Sequence, residues 1–197
     1  MANRRELQKQ ATREQLYERA MQLFDARGYE EVNIDDIVTA CRVARGTFYF
    51  HFPKKEDLLL ELIRRAERHT VDKMKAVSSE QPLLDVLTAI ADAFAEVYGE
   101  RRALLPHVGA VAIRRIAAVA GERDEDPLRL ELVKHVDRAV TKGELNSPLP
   151  SQMIADVFLL DGFAGLMSWA ASGEPELPIV MQGIIALFLN GVSISES

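Results

Sequence analysis

The twenty residues from Asn33 to Phe52 constrain this chain more than any others. Ile34, Ile37 and Val38 fall at i, i+3 and i+4 and give one short helix a single inner face. Phe48 and Phe52, at i and i+4, do the same for a second. Asn33 is a good N-cap for the first helix, and Pro53 ends the second because its ring removes an N–H and crowds the preceding turn. The spacing predicts helices over 34–40 and 45–52 with Val43 in the turn between them. Two helices this short bury too little to stand alone, so the pattern predicts a helix-turn-helix packed on a longer helix.

The remaining periodicity is helical throughout. Leu16, Ala20, Leu23 and Phe24 mark a first helix over 4–27, closed by Arg27 and a C′ glycine, Gly28. A helix follows over 54–77, with Leu58, Leu59, Leu62, Ile63 and Ala66 on one side. Leu83 to Tyr98 mark another, then residues 101–120 with Pro106 as a kink or boundary, and a charged loop from Gly121 to Pro127. Leu128 to Val140 form the next helix, ended by Gly143, and two long helices over 151–171 and 176–190 complete the chain. No apolar alternation with hairpin turns appears. The expected class is all-α, about nine helices in two domains: a three-helix N-terminal domain over 1–55 that holds the helix-turn-helix and a helical domain over 56–197.

Seating Phe48 and Phe52 inward turns Arg45, Gly46, Thr47, Tyr49 and His51 toward the outside or its margins. An Arg fork matches guanine O6 and N7, hydroxyl and imidazole groups can hold phosphate oxygens, and a glycine lets the backbone come close. The charge distribution agrees. The chain carries 24 Lys/Arg against 30 Asp/Glu, but residues 1–55 hold ten basic against eight acidic groups. A mildly basic front on an acidic body is expected if only the front meets phosphate.

The block Gly46-Thr47-Phe48-Tyr49-Phe50-His51-Phe52-Pro53-Lys54-Lys55-Glu56-Asp57-Leu58 resembles the TetR family of tetracycline-repressor-like regulators. The likeness covers roughly residues 10–65. Carried over by position, it implies base contacts from Arg45, Gly46 and Thr47. It implies phosphate contacts from Tyr49, His51 and Lys55, and from the helix end at Asn33. It further implies that residues 1–55 are a DNA-binding domain and 56–197 an effector-binding and dimerisation domain, in a homodimer on a palindromic operator, with a cavity in the body for a small effector that releases the DNA. Two positions depart from the family pattern. Arg42 stands where the family often has Gly, a site where φ above zero is expected, and Ala44 stands where it often has a capping residue.

Phe94, Tyr98, His107, Phe163, Met167 and Trp169 are the candidate lining of that cavity and point to a hydrophobic or aromatic effector. Control by a protein partner is the alternative. The helix over 151–171 is apolar nearly all round, and with Ile184, Ile185, Leu187 and Phe188 of the last helix it predicts a two-fold four-helix interface. Asp156 and Asp161 argue against a membrane span there. One cysteine, Cys41, excludes an internal disulfide and fits a cytoplasmic protein, as does a start with no apolar leader. No histidines pair at metal-ligand spacing, and no P-loop, dinucleotide fingerprint, Gly-x-Ser-x-Gly or His-Glu-x-x-His occurs. The sequence therefore predicts neither enzyme activity, nor cofactor, nor metal.

Overall fold

The computed structural model describes residues 4–118 and 126–192. Among these there are nine α-helices, one 3-10 turn and no strand, the class the sequence predicts. Helix α1 (Arg4–Arg27) ends as expected: Gly28 takes φ 87° and donates its N–H to the Phe24 carbonyl at 2.8 Å. Its buried stripe, with Leu16, Ala20 and Phe24, packs on α2 (Ile34–Cys41) and on α4 (Glu56–Ala76). Between these lies α3 (Arg45–His51).

The body is built around α4. It packs against α5 (Leu83–Tyr98), α6 (Leu105–Ala118) and α7 (Pro127–Thr141). Helix α8 (Ser151–Ser172) lies against α6, α7 and α9 (Leu177–Val192). The helix expected to start at 101 opens instead with a 3-10 turn over Arg102–Leu104. Pro106 is the second residue of α6, where its missing N–H has no helical partner to lose. Of the charged loop expected between α6 and α7, residues 121–125 lie outside the described residues. Asp126 closes that gap as the N-cap of α7, accepting from the N–H groups of Leu128 and Arg129.

Gly165 brings α8 and α9 together. A Cβ there would meet Ile184 Cδ1, so a larger residue would make the Ile184 side chain move aside. By length and composition α8 could cross a membrane. One side of it is nevertheless committed to α6, α7 and α9, and Asp156 is ion-paired to Arg129.

Candidate nucleic-acid interface

Helix α2 starts with a reciprocal cap. Asn33 Oδ1 accepts from the Asp36 N–H at 2.9 Å, while Asp36 Oδ2 accepts from the Asn33 N–H at 2.9 Å. That backbone hydrogen bond, then Arg27, holds the Asp36 carboxyl below its ordinary range. At the other end Arg42 takes φ 55°, ψ 42°, the left-handed conformation expected from its position. A side chain there strains the backbone. Arg42→Gly is expected to raise stability by about 0.5–1 kcal/mol, read as a shift in the urea midpoint at constant slope.

Phe48 and Phe52 are fully buried, their rings 5.9 Å apart, and form the inner side of α3, which packs on α2 and, through Phe52, meets Arg13 of α1. The opposite side of α3 is open. Arg45, Gly46 and Tyr49 are exposed and Thr47 is half-buried. A Cβ on Gly46 would meet nothing within 4 Å, so the opening at this point is backbone-deep. Arg45 is pre-positioned: its Nη1 donates to both oxygens of Asp35 at 2.9 Å, and its Nη2 donates to the Tyr49 hydroxyl at 3.3 Å. Asp35 is not singled out by the sequence, where it is ten residues away. Its signal is its place in the first turn of α2, beside the start of α3. Phe50 is a second addition from the structure. It is 68% exposed on the reading side, with the Lys9 ammonium 5.4 Å from its ring centre.

Two expected outward groups face inward. His51 is buried, and burial followed by the charges of Arg13 and Lys9 pushes its imidazole pKa down. At i+3 from Phe48 it shares the inner stripe, so it is placed for packing. Lys55 folds back as well. Its ammonium donates to the carbonyls of Tyr29 and Val32, both at 2.8 Å, and sits 4.1 Å from the Tyr29 ring centre. One of its three N–H groups is left over. The N-terminus of α2 carries Asp35 and Asp36 in its first turn, and these charges oppose a phosphate beside Asn33.

Arg13 locks the assembly. Its guanidinium lies 4.2 Å from the Phe52 ring centre, donates to the His51 carbonyl at 2.6 Å, and donates to Glu61 on α4 at 2.9 Å. Arg65 of α4 returns the link, donating to Glu14 of α1 and to Glu61. The end of α3 and the middle of α4 are thereby fixed to α1.

In the body, α4 to α8 line a half-open cavity of about 520 Å³, whose rim includes the exposed Met153, Val157 and Leu160 of α8. Four of the six expected lining residues are in its wall: Phe94, Tyr98, Phe163 and Met167. The other two are not. His107 faces the other way, its Nδ1 3.4 Å from Glu30 and its ring 4.7 Å from that of Tyr29, at the seam with the N-terminal helices. Trp169 is buried elsewhere, its Nε1 without a hydrogen-bond partner among the described residues. The sequence did not announce the polar part of the wall. Arg115 donates to Glu67 at 2.6 Å and Arg129 to Asp156 at 2.6 Å. Burial pushes the Glu67 carboxyl up, against the pull of Arg115. Among the described residues, no three His, Cys, Asp or Glu side chains gather as a metal set.

Residues 16–62 match the family model described as "Bacterial regulatory proteins, tetR family". Among curated proteins, the HTH-type transcriptional regulator EthR of Mycolicibacterium smegmatis is 41% identical over 44 residues, 22% of this chain and 20% of that one. The HTH-type transcriptional regulator UidR of Escherichia coli (strain K12) is 23% identical over 161 residues, 81% of this chain and 82% of its own. The stronger identities are thus confined to short stretches, and such matches span well under half of the relatives' own length. Among solved structures, Thermus thermophilus FadR, described as a TetR-family transcriptional repressor in complex with lauroyl-CoA, superposes with a TM-score of 0.68 at 23% identity. That match covers 94% of this chain and 97% of the other.

Proposed function

From a chain that belongs, through its N-terminal helices, to the tetR family of bacterial regulatory proteins, we propose a homodimeric cytoplasmic repressor that leaves its operator when a small apolar molecule enters the body. Members of this family are DNA-binding transcriptional regulators, not enzymes. The observation that carries the reading is the open side of α3: Arg45 and Gly46 are exposed and Thr47 half-buried at its start, while Phe48 and Phe52 anchor its back. Residues at the start of a recognition helix meet base edges in the major groove. Arg45 reads a guanine from its Asp35 bracket, Gly46 admits the groove wall, and Thr47 and Phe50 contact neighbouring bases. Tyr49 and the third N–H of Lys55 hold phosphates. Asn33 and His51 act by capping and packing.

A second copy is supported by what the helices leave uncovered. On α8, Met153, Val157, Leu160, Ala164 and Ser168 form one exposed stripe, and on α9 Ile179, Gly183 and Leu187 form another. Leu187 is 76% exposed and Leu160 64%. Apolar stripes on adjacent helices suit a two-fold four-helix contact, which sets two α3 helices on one face of DNA.

Release is supported by α6, which works on two sides. Val108, Ala112 and Arg115 line the cavity. His107 touches Glu30 and Tyr29, and Arg114 donates to Glu56 at the start of α4 at 2.9 Å. A ligand that shifts α6 therefore alters contacts at the N-terminal helices. A differential affinity of about 1–3 kcal/mol between the two states weakens operator binding roughly 5–150-fold.

Selection from random duplex DNA at fixed salt tests the reading. The expected product is a palindrome with half-sites about one turn apart, roughly 34–36 Å. Arg45→Ala is expected to lose about 1–3 kcal/mol of affinity and to relax preference at one base pair per half-site. A folded protein that enriches no sequence would overturn the proposal.

A further inference from the structure

The cavity also carries the chemistry that selects its occupant, a selection that rests on the cavity being the effector site. Most of the wall is apolar. The two guanidiniums that reach it are both engaged, Arg115 by Glu67 and Arg129 by Asp156. Asp126, the third carboxylate in the wall, is occupied in capping α7. Among the described residues the wall therefore holds three carboxylates and two guanidiniums, each with a partner. A charged guest of either sign must shed its water and then break an existing ion pair or sit uncompensated in a space of low polarity.

Tyr98 is the exception. It is only 5% exposed and lines the cavity, with the Phe94 ring edge-on at 6.2 Å. Its hydroxyl makes no hydrogen bond to any group among the described residues. Burial, first among the causes, keeps that phenol protonated, well above the ordinary range. It is a neutral donor and acceptor in a largely apolar wall, where the oxygen of a guest can take its hydrogen bond in place of water.

We propose that the cavity takes an uncharged, largely apolar molecule whose single hydroxyl or carbonyl oxygen hydrogen-bonds to Tyr98 Oη, and that it discriminates against carboxylates and ammonium ions of the same carbon skeleton. The volume of about 520 Å³ suits a medium-length chain or a small fused-ring system.

Calorimetry with decanol, decanoate and decylammonium on the full-length protein at pH 7.5 tests this, because the carbon chain is held constant while the head group changes. Decanol is expected to bind at least about tenfold more tightly than either ion. Tyr98→Phe is expected to weaken decanol about 3–10-fold, with a melting temperature no lower than the parent's, since the deleted hydroxyl has no partner among the described residues. Decanoate or decylammonium binding as tightly as decanol would overturn the proposal, as would decanol affinity unchanged in Tyr98→Phe. If none of the three binds the folded protein, the effector cavity falls together with the choice of guest. If decanol binds as expected but leaves the operator complex intact, the choice of guest stands and ligand-driven release falls.

Discussion

Phe48→Ala is expected to lower stability by about 3–5 kcal/mol and to remove measurable operator binding. Phe48 is fully buried, with the Phe52 ring 5.9 Å away and the Tyr49 ring 5.8 Å away and edge-on. Helix α3 has only seven residues, too few to hold itself together in water. Its order is borrowed from the two phenylalanines, so a cavity under Phe48 releases Arg45, Gly46 and Thr47 together. Urea unfolding and fluorescence anisotropy on a selected operator measure the two effects. Operator affinity surviving in a variant that has lost the expected stability would show that α3 is not the reading element. Phe48→Leu, which keeps most of the volume, is expected to retain most of both.

The second large effect is electrostatic. Glu61 is nearly buried, and its carboxylate is shared by Arg13, Arg65 and Arg68. Glu61→Ala leaves Arg13 and Arg65 without their common partner. Breaking a buried pair from one side costs about 3–5 kcal/mol. These guanidiniums are about a third exposed, so water recovers part of that and the expected loss is about 2 kcal/mol. Glu61→Gln, which keeps an acceptor for Arg13, should lose about half as much.

The pH dependence has a definite sign. Burial pushes Glu61 up, but hydrogen bonds from Arg13 and Arg65, with their charges, outweigh it and hold its pKa below 4.5. The hydrogen bond from Arg65 does the same for Glu14. Groups depressed by folding stabilise fully above their unfolded values, and that contribution is lost as pH falls through the folded ones. The parent is therefore expected to lose stability below about pH 4.5, and Glu61→Ala to lose less over the same interval. Equal slopes in the two proteins would remove Glu61 from the acid transition.

Local rules made much of the fold legible. Gly28, the Asn33 cap and the inward Phe48 and Phe52 follow from interactions within a few residues, where helical spacing and steric limits decide, whereas the positive φ of Arg42 was legible only from the family pattern. His51 was legible too, at i+3 from Phe48; an outward orientation weighs polarity above position. Lys55 was not, because its ammonium is captured by carbonyls 26 and 23 residues earlier. The same holds for the cavity wall. Glu67 and Arg115 are 48 residues apart and Arg129 and Asp156 are 27 apart. Periodicity shows which side of a helix faces inward, not which residue of another helix it meets. His107 and Trp169 were expected in the wall for their size and chemistry, yet α6 turns one toward the N-terminal helices and α8 buries the other away from the cavity.

The two working sides of α6 also bear on how such a chain can change over evolutionary time. In the proposed function, the residues that address DNA, from Arg45 to Tyr49, share no member with the cavity wall. The side-chain contacts that join α6 to the N-terminal helices and the start of α4 are few, His107 with Glu30 and Arg114 with Glu56. Duplicated copies can thus diverge in the molecule they sense by drifting at Val108, Ala112 or Phe163 while keeping the same address on the genome. The reverse drift, at Arg45 or Phe50, assigns an existing sensor to new genes.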